Sequence, residues 1–511
     1  MTISAAPLAA AVEARMAAWA ADRVTERIWD HDPTVWADPD TPEITNRLGW
    51  LHLPEQMAPK TAGWSAFAAE IADEFDRVVL CGMGGSSLAP EVFQDVFGSA
   101  DGAPSLSIAD STHPDAVSAL TADLDPARTL FIVSSKSGGT LETLSLYRHF
   151  WAWVGESGLP QGARFVAITD PGSGLEALAA ERGFRATFHA PPDVGGRFSA
   201  LCDFGLLPAS LVGVDVEGLL GAAEAMASRP EAAMRLGAWM GEGALAGRDK
   251  VTIITTPSLA ALPAWMEQLI AESTGKEGVG VVPVAGEPVA GPDAYGDDRL
   301  FLVYHLVDED LPEGVTALAA AGHPVLSFAL PGLAALGAEM FRAELATAAA
   351  GAVLGINPFD QPDVEAAKIQ ARALMSDGVD DGEDLAVFDD SAIDEVVTAV
   401  GNGDYVSLQA YAPMTDDQQA SLEAIAGDIR DRTAGAAVTI GFGPRFLHST
   451  GQLHKGGADN CVVLQLVAAP GAEGPVPESD LTFGQSVLAQ AAGDAAVLAE
   501  RGRTVVRRAI R

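Results

Sequence analysis

Residues 77–91 read RVVLCGMGGSSLAPE, and residues 129–143 read TLFIVSSKSGGTLET. Each is a short apolar run, then a turn rich in glycine and hydroxyls, then the opening of a helix. Apolar runs without alternation predict strands buried on both faces, as in a parallel sheet covered by helices. The glycines let the turn approach a ligand, and the helix N-terminus behind it aims N–H groups at an anion. In the second turn Ser134, Ser135, Ser137 and Thr140 add hydroxyls and Lys136 adds a cation. Together these make a phosphate cradle. The Gly-Lys-Ser order of a nucleotide P-loop is absent, so ATP binding is not indicated. The first turn, with Gly84, Gly85 and Ser86, is a near match to a dinucleotide fingerprint, and Asp110 follows at the offset of a ribose-binding acid. However, Ser87 stands where the third glycine belongs.

The same alternation extends in both directions. Strands are expected at 106–109 and 164–169, and again at 250–255, 300–305 and 324–328, with helices between them. This organises the chain as an N-terminal helical extension (1–60), an α/β parallel-sheet sandwich (61–212), and a second one with a helical tail (213–376). No Lys or Arg occurs between Arg372 and Arg430, and the acid-rich stretch 377–404 reads as a linker. Strands at 405–411, 437–440 and 461–467, with helices at 416–430 and 483–501, make 405–511 a third unit, expected to be α+β.

Composition narrows the partners. The 511 residues carry 70 Asp plus Glu against 31 Lys plus Arg, a formal net charge of −39. A field of that sign repels nucleic acid and anionic membranes, so neither is expected as a partner, and an anionic ligand must be held by local donors. Only six lysines occur, and Lys136, Lys276, Lys368 and Lys455 fall within the motifs discussed here. Cys81, Cys202 and Cys461 are far apart and have no metal-ligand spacing, so neither a disulfide framework nor a zinc site is indicated. No signal peptide or membrane-length apolar run is present, which points to a soluble, cytoplasmic protein.

The two quoted stretches resemble the paired phosphosugar loops of sugar isomerase (SIS) domains, and their order and spacing are similar to those of the glucose-6-phosphate isomerase family. Gly195-Gly196-Arg197-Phe198-Ser199 resembles its GGR-aromatic-Ser motif, and Glu272-Ser273-Thr274-Gly275-Lys276 its ESNGK motif, with Thr for Asn. Asn357–Pro362 (NPFDQP), followed by Val364, Glu365 and Lys368, resembles a segment of its bacterial branch. The segment RFLHSTGQLHKGG at 445–457 looks like the isomerase half of bifunctional transaldolase/glucose-6-phosphate isomerase proteins.

The resemblance implies two tandem SIS-type domains and a cofactor-free, metal-free interconversion of glucose 6-phosphate and fructose 6-phosphate in glycolysis and gluconeogenesis. It also implies a homodimer in which the neighbouring subunit supplies a histidine. Aldose–ketose isomerisation through a cis-enediolate needs a carboxylate base, here Glu272, and a cation beside the enediolate, here Arg197. Lys368 and a histidine would open the sugar ring. The family's histidine lies between the glutamate and the lysine, where only His305 and His323 occur, in no recognisable motif. His448 and His454 are therefore the candidates, with His323 in reserve. For the partner copy, the apolar helix expected at 334–350 offers a face. Two other readings remain: a non-catalytic phosphosugar-binding module, which would need the two loops but not Glu272, Arg197 or Lys368, and an NAD-dependent dehydrogenase built on the first turn and Asp110.

Overall fold

The computed structural model describes residues 6–363 and 385–510. Three sheets organise the described residues. The first contains β1 (Arg77–Cys81), β2 (Ser105–Ala109), β3 (Thr129–Ser134), β4 (Phe165–Thr169) and β5 (Ala186–His189), in the order β2-β1-β3-β4-β5. The second contains β6 (Lys250–Thr255), β7 (Val282–Ala285), β8 (Arg299–Leu306) and β9 (Val325–Leu330), in the order β7-β6-β8-β9. The third contains β10 (Tyr405–Tyr411), β11 (Ala437–Phe442), β12 (Cys461–Ala468) and β13 (Thr504–Ile510), in the order β11-β10-β12-β13. Every strand pair within these sheets is parallel.

The unbroken apolar runs serve a two-sided burial. In the first sheet Val78, Leu80, Leu130 and Ile132 enter one core, while Val79, Cys81, Phe131 and Val133 enter another on the opposite face. The helix Leu141–Glu156 covers the second face with Tyr147, Phe150, Trp151 and Val154. There Phe131 stacks on Phe150 and Phe165, with ring centroids 4.7 and 5.0 Å apart.

Four features differ from the sequence reading. The third unit is α/β rather than α+β, because all of its strand pairs are parallel. Its last strand, β13, was hidden by Arg507 and Arg508, which break the apolar run. The acidic stretch is not wholly a linker. The helix Asp390–Ala399 buries Ala392, Ile393 and Val396 in the third core, and Phe388 N donates to Ala509 O at 2.8 Å. Residues 377–384 lie outside the described residues. Finally, the apolar helix Leu336–Leu354 has its face already covered within the chain. It packs on the helices Val216–Ala227 and Glu231–Leu245, so closely that a Cβ at Gly237 would stand 2.4 Å from Ala346 O. That face is not open to a partner copy.

Candidate active site

In a doubly wound sheet, ligands bind beyond the carboxyl ends of the strands where the strand order reverses. Here that point lies between β1 and β3, and the two glycine- and hydroxyl-rich turns meet there. Gly84 has φ 53°, and a Cβ on it would fall 2.6 Å from His448 O; one on Gly85 would fall 1.9 Å from Gly196 O. The glycines are therefore what lets three distant segments close on one another. In the second turn Ser135 Oγ and Thr140 Oγ1 are 3.2 Å apart, and Gly138 N donates to Ser135 Oγ at 3.2 Å. Gly139 N donates to Ser137 Oγ at 3.2 Å. Thr140 caps the helix Leu141–Glu156 without a side-chain bond to its amides, leaving the positive end of the helix facing the turn. Lys136 Nζ is engaged: it donates to Asp170 Oδ2 at 2.5 Å and to Pro192 O at 3.0 Å.

The turns form one wall of a cleft of about 360 Å³ whose lining includes Arg197, Gln268, Glu272 and His448. Glu272 sits in the last turn of the helix Leu262–Thr274 and is 6% exposed. Arg197, 4% exposed, holds Nη1 3.5 Å from Glu272 Oε1. Its Nε donates to Ser273 Oγ at 2.7 Å, and Nη2 donates to the carbonyls of Pro358 and Asp360 at 2.6 and 2.9 Å. The NPFDQP segment is thus the seat of the arginine. Lys276 Nζ binds the same segment through Asp360 O and Oδ1, at 2.6 and 2.7 Å. Burial, with Arg197 nearby, pushes its ammonium down to about 8.

Gln268 lies one turn before Glu272 and ties the site together. Its Nε2 donates to Glu272 Oε2 at 3.0 Å and to His448 O at 2.8 Å. His448 Nε2 lies 2.9 Å from Glu142 Oε1, which also accepts from Gln490 Nε2 at 2.6 Å. Burial alone would raise the Glu142 carboxyl, but the His448 ring, a helix amide and Gln490 outweigh it and hold it at about 2. An anion there orients the imidazole and leaves Nδ1 as the ring nitrogen not engaged by Glu142. Three residues earlier, Arg445 pairs with Glu91 and lies 3.0 Å from Asp110, fastening the loop of the third unit to the first.

Residues 57–296 match the family profile described as phosphoglucose isomerase. The glucose-6-phosphate isomerase of Rubrobacter xylanophilus is 32% identical over 386 residues, which are 64% of this chain and 89% of that protein. The chain belongs to the phosphoglucose isomerase family. A second relative, the glucose-6-phosphate isomerase of Thermus thermophilus, is 31% identical over 65% of this chain and 91% of its own. A solved structure of a hypothetical protein from the same organism superposes with a TM-score of 0.62 at 26% identity, covering 73% of this chain and 99% of that one. The glucose-6-phosphate isomerase structure from Chlamydia trachomatis, at 20% identity and a TM-score of 0.55, shows the same fold over 69% of this chain and 77% of its own.

Of the residues expected from the family motifs, the cleft gathers Gly84, Gly85, Ser86, Ser135, Lys136, Ser137, Thr140, Arg197, Glu272 and His448. Lys368 lies outside the described residues. His454 does not line the cleft. It is buried in the third unit, with Nδ1 2.8 Å from Tyr405 Oη and Nε2 3.2 Å from Ser407 Oγ, and burial pushes its ring down to about 3. A buried, neutral histidine of that kind is a core residue of the third unit. His323 packs against Tyr295 and Phe301, away from the cleft. Asp110 is unsuited to a ribose, since it is buried, accepts from Ser87 Oγ at 3.3 Å and is taken up by Arg445. Burial raises it to about 6 against the pull of that arginine. The sequence reading missed Gln268 and Glu142, although both carried a signal: one is four residues before Glu272 on the same helix face, and the other opens the helix behind the second turn. It also missed Glu43 and Arg47, which line the cleft from a segment with no periodicity.

Among the described residues, no helix is long and apolar enough to cross a membrane, and no three His, Cys, Asp or Glu side chains are grouped to hold a metal ion. The three cysteines are buried thiols.

Proposed function

We propose that this chain interconverts glucose 6-phosphate and fructose 6-phosphate by proton transfer through a cis-enediolate, with no cofactor. The observation that carries this reading is the burial of Glu272 beside Arg197 in a cleft walled by two anion-binding turns and His448. Glu272 removes the proton from one of the two adjacent carbons and returns it to the other. Arg197 stabilises the oxyanion that forms; its other donors are fixed by Ser273 and two carbonyls, so it need not reorganise during the reaction. His448, oriented by Glu142, exchanges a proton with the ring oxygen during ring opening. Lys368 is its partner on the strength of the family motif. The phosphate rests on Gly84, Gly85 and Ser86 and on Ser135, Lys136, Ser137 and Thr140.

We further propose that the enzyme works as a cytoplasmic homodimer built of the units 1–60, 61–212 and 213–376 and of a third unit, 405–511, to which the helix Asp390–Ala399 also belongs. Solvent deuterium should enter C2 of glucose 6-phosphate formed from fructose 6-phosphate by the purified protein, read by NMR without nicotinamide or metal. Absence of both isomerisation and exchange would refute the proposal, and isomerisation that required nicotinamide would favour the dehydrogenase reading.

A further inference from the structure

The mouth of the cleft is shaped in part by a segment that belongs to neither anion-binding turn. Residues 42–49 are stitched to the loop that carries Arg197 and to the segment that seats it. Gly49 N donates to Asp193 O at 3.2 Å, Leu48 bridges Val194, and Asn357 Nδ2 donates to Pro42 O at 3.1 Å. Two charged side chains of this segment, Glu43 and Arg47, reach the cleft. Arg47 Nη2 donates to Glu43 Oε1 at 2.8 Å, and Nη1 donates to Asn46 O at 3.2 Å. Glu43 has φ 58°, a left-handed conformation that costs a non-glycine residue on the order of 1–3 kcal/mol and collects at ligand sites.

Among the described residues, Arg47, Lys136 and Arg197 are the lysines and arginines that line the cleft. Lys136 is committed to Asp170 and a carbonyl, and Arg197 to Ser273 and two carbonyls. Arg47 differs in its partner: like Lys136 it holds one carboxylate and one carbonyl, and the two cations are similarly exposed, 23% and 26%, but Glu43 is 41% exposed where Asp170 is 18%. A pair so open to water is worth about 0–1 kcal/mol, so an incoming dianion displaces it cheaply. Arg47 also acts electrostatically on both Asp170, the partner of Lys136, and Arg197. It is therefore within electrostatic reach of both the phosphate turn and Arg197, in the cleft that all of them line. In a chain of net charge −39, a dianion entering this cleft gains most from a cation that can be released to it.

We propose that Arg47 is a substrate-binding residue that exchanges Glu43 for the phosphate of the incoming phosphosugar. The N-terminal segment thereby supplies the mobile charge of an anion site whose fixed donors are Ser135, Ser137 and Thr140. The identity of the sugar rests on the isomerase reading; the binding of a phosphate dianion does not.

Inorganic phosphate titrated calorimetrically into the intact protein tests this without turnover. Losing a charge-assisted contact predicts phosphate affinity roughly 10- to 100-fold weaker in Arg47→Ala. In turnover the same variant should raise KM for fructose 6-phosphate by a similar factor and change kcat less than about threefold, since a remote binding contact acts on ground and transition state alike. Arg47→Lys, which keeps the charge, should recover part of the loss. Glu43→Gln, which frees Arg47, should bind phosphate several-fold more tightly. Wild-type phosphate affinity in a folded Arg47→Ala overturns the proposal, as does looser phosphate binding in Glu43→Gln. Loss of phosphate binding in Arg47→Ala alongside a wild-type chain without isomerase activity would support the assignment of Arg47 and sink the isomerase reading.

Discussion

Replacing Glu272 by Gln removes the proposed base while changing almost nothing else. Arg197 keeps Ser273 Oγ and the carbonyls of Pro358 and Asp360 as acceptors, so its buried guanidinium is not stranded. Gln268 Nε2 keeps His448 O, and the new amide oxygen can replace Glu272 Oε2 as its second acceptor. The variant should therefore fold and bind phosphosugar, with KM within about threefold of wild type. A positioned base is worth about 10²–10⁴ in rate, or about 2.7–5.4 kcal/mol at 1.36 kcal/mol per decade, and kcat should fall by that much. Glu272→Asp is the sharper variant. It keeps the charge beside Arg197 but withdraws the carboxylate by one methylene, and a misplacement of about 1 Å costs on the order of 10². Steady-state isomerisation and C2 deuterium exchange, measured on the same samples, should fall together in both variants. A loss of less than about tenfold in kcat for Glu272→Gln would remove it as the base. Exchange surviving while isomerisation fails would move the proton chemistry to another residue.

Three other outcomes follow from the same geometry. Glu142 is held at about 2 against an ordinary 4.5, a depression worth roughly 3 kcal/mol. That stability is complete above pH 4.5 and is lost as pH falls through 2, so denaturant midpoints of Glu142→Gln and wild type should differ fully above about pH 4.5 and converge as the pH approaches about 2; a pH-independent gap would refute an ionised Glu142. Gly85→Ala should abolish activity and lower the melting temperature, because its Cβ would lie 1.9 Å from Gly196 O, whereas Gly195→Ala, with its nearest neighbour 3.9 Å away, should be tolerated; equal effects of the two would contradict the close packing of the loops. Because Glu272 and His448 line the same cleft of one chain, mixing Glu272→Gln with His448→Ala under proven subunit exchange should restore no activity, and recovery toward a quarter of wild type would show that the histidine crosses between subunits.

Arg197 and Glu272 were picked out through the family's motifs; the glycine and hydroxyl turns and the buried strands around them were legible in the sequence itself. Their chemistry depends on consecutive residues: a turn that must approach an anion needs its glycines and donors side by side, and a doubly buried strand needs an unbroken apolar run. The choice between His448 and His454 was not legible. The two lie six residues apart in one segment, yet the first looks into the cleft and the second into the core of the third unit. What separates them is Arg445, fastened to Asp110 and to Glu91, the latter 354 residues earlier in the chain. In the sequence Asp110 reads as free for a ribose because that arginine is so distant along the chain. The helix Leu336–Leu354 reads as needing a partner because its apolar surface is local, whereas the helices that cover it are separated from it in the chain by the whole second sheet. Arg47 had no periodicity or motif to mark it. Local backbone requirements are spelled in neighbouring residues; which face of a segment meets which other segment is decided by packing between distant ones, and only the tertiary structure of this chain brings those together.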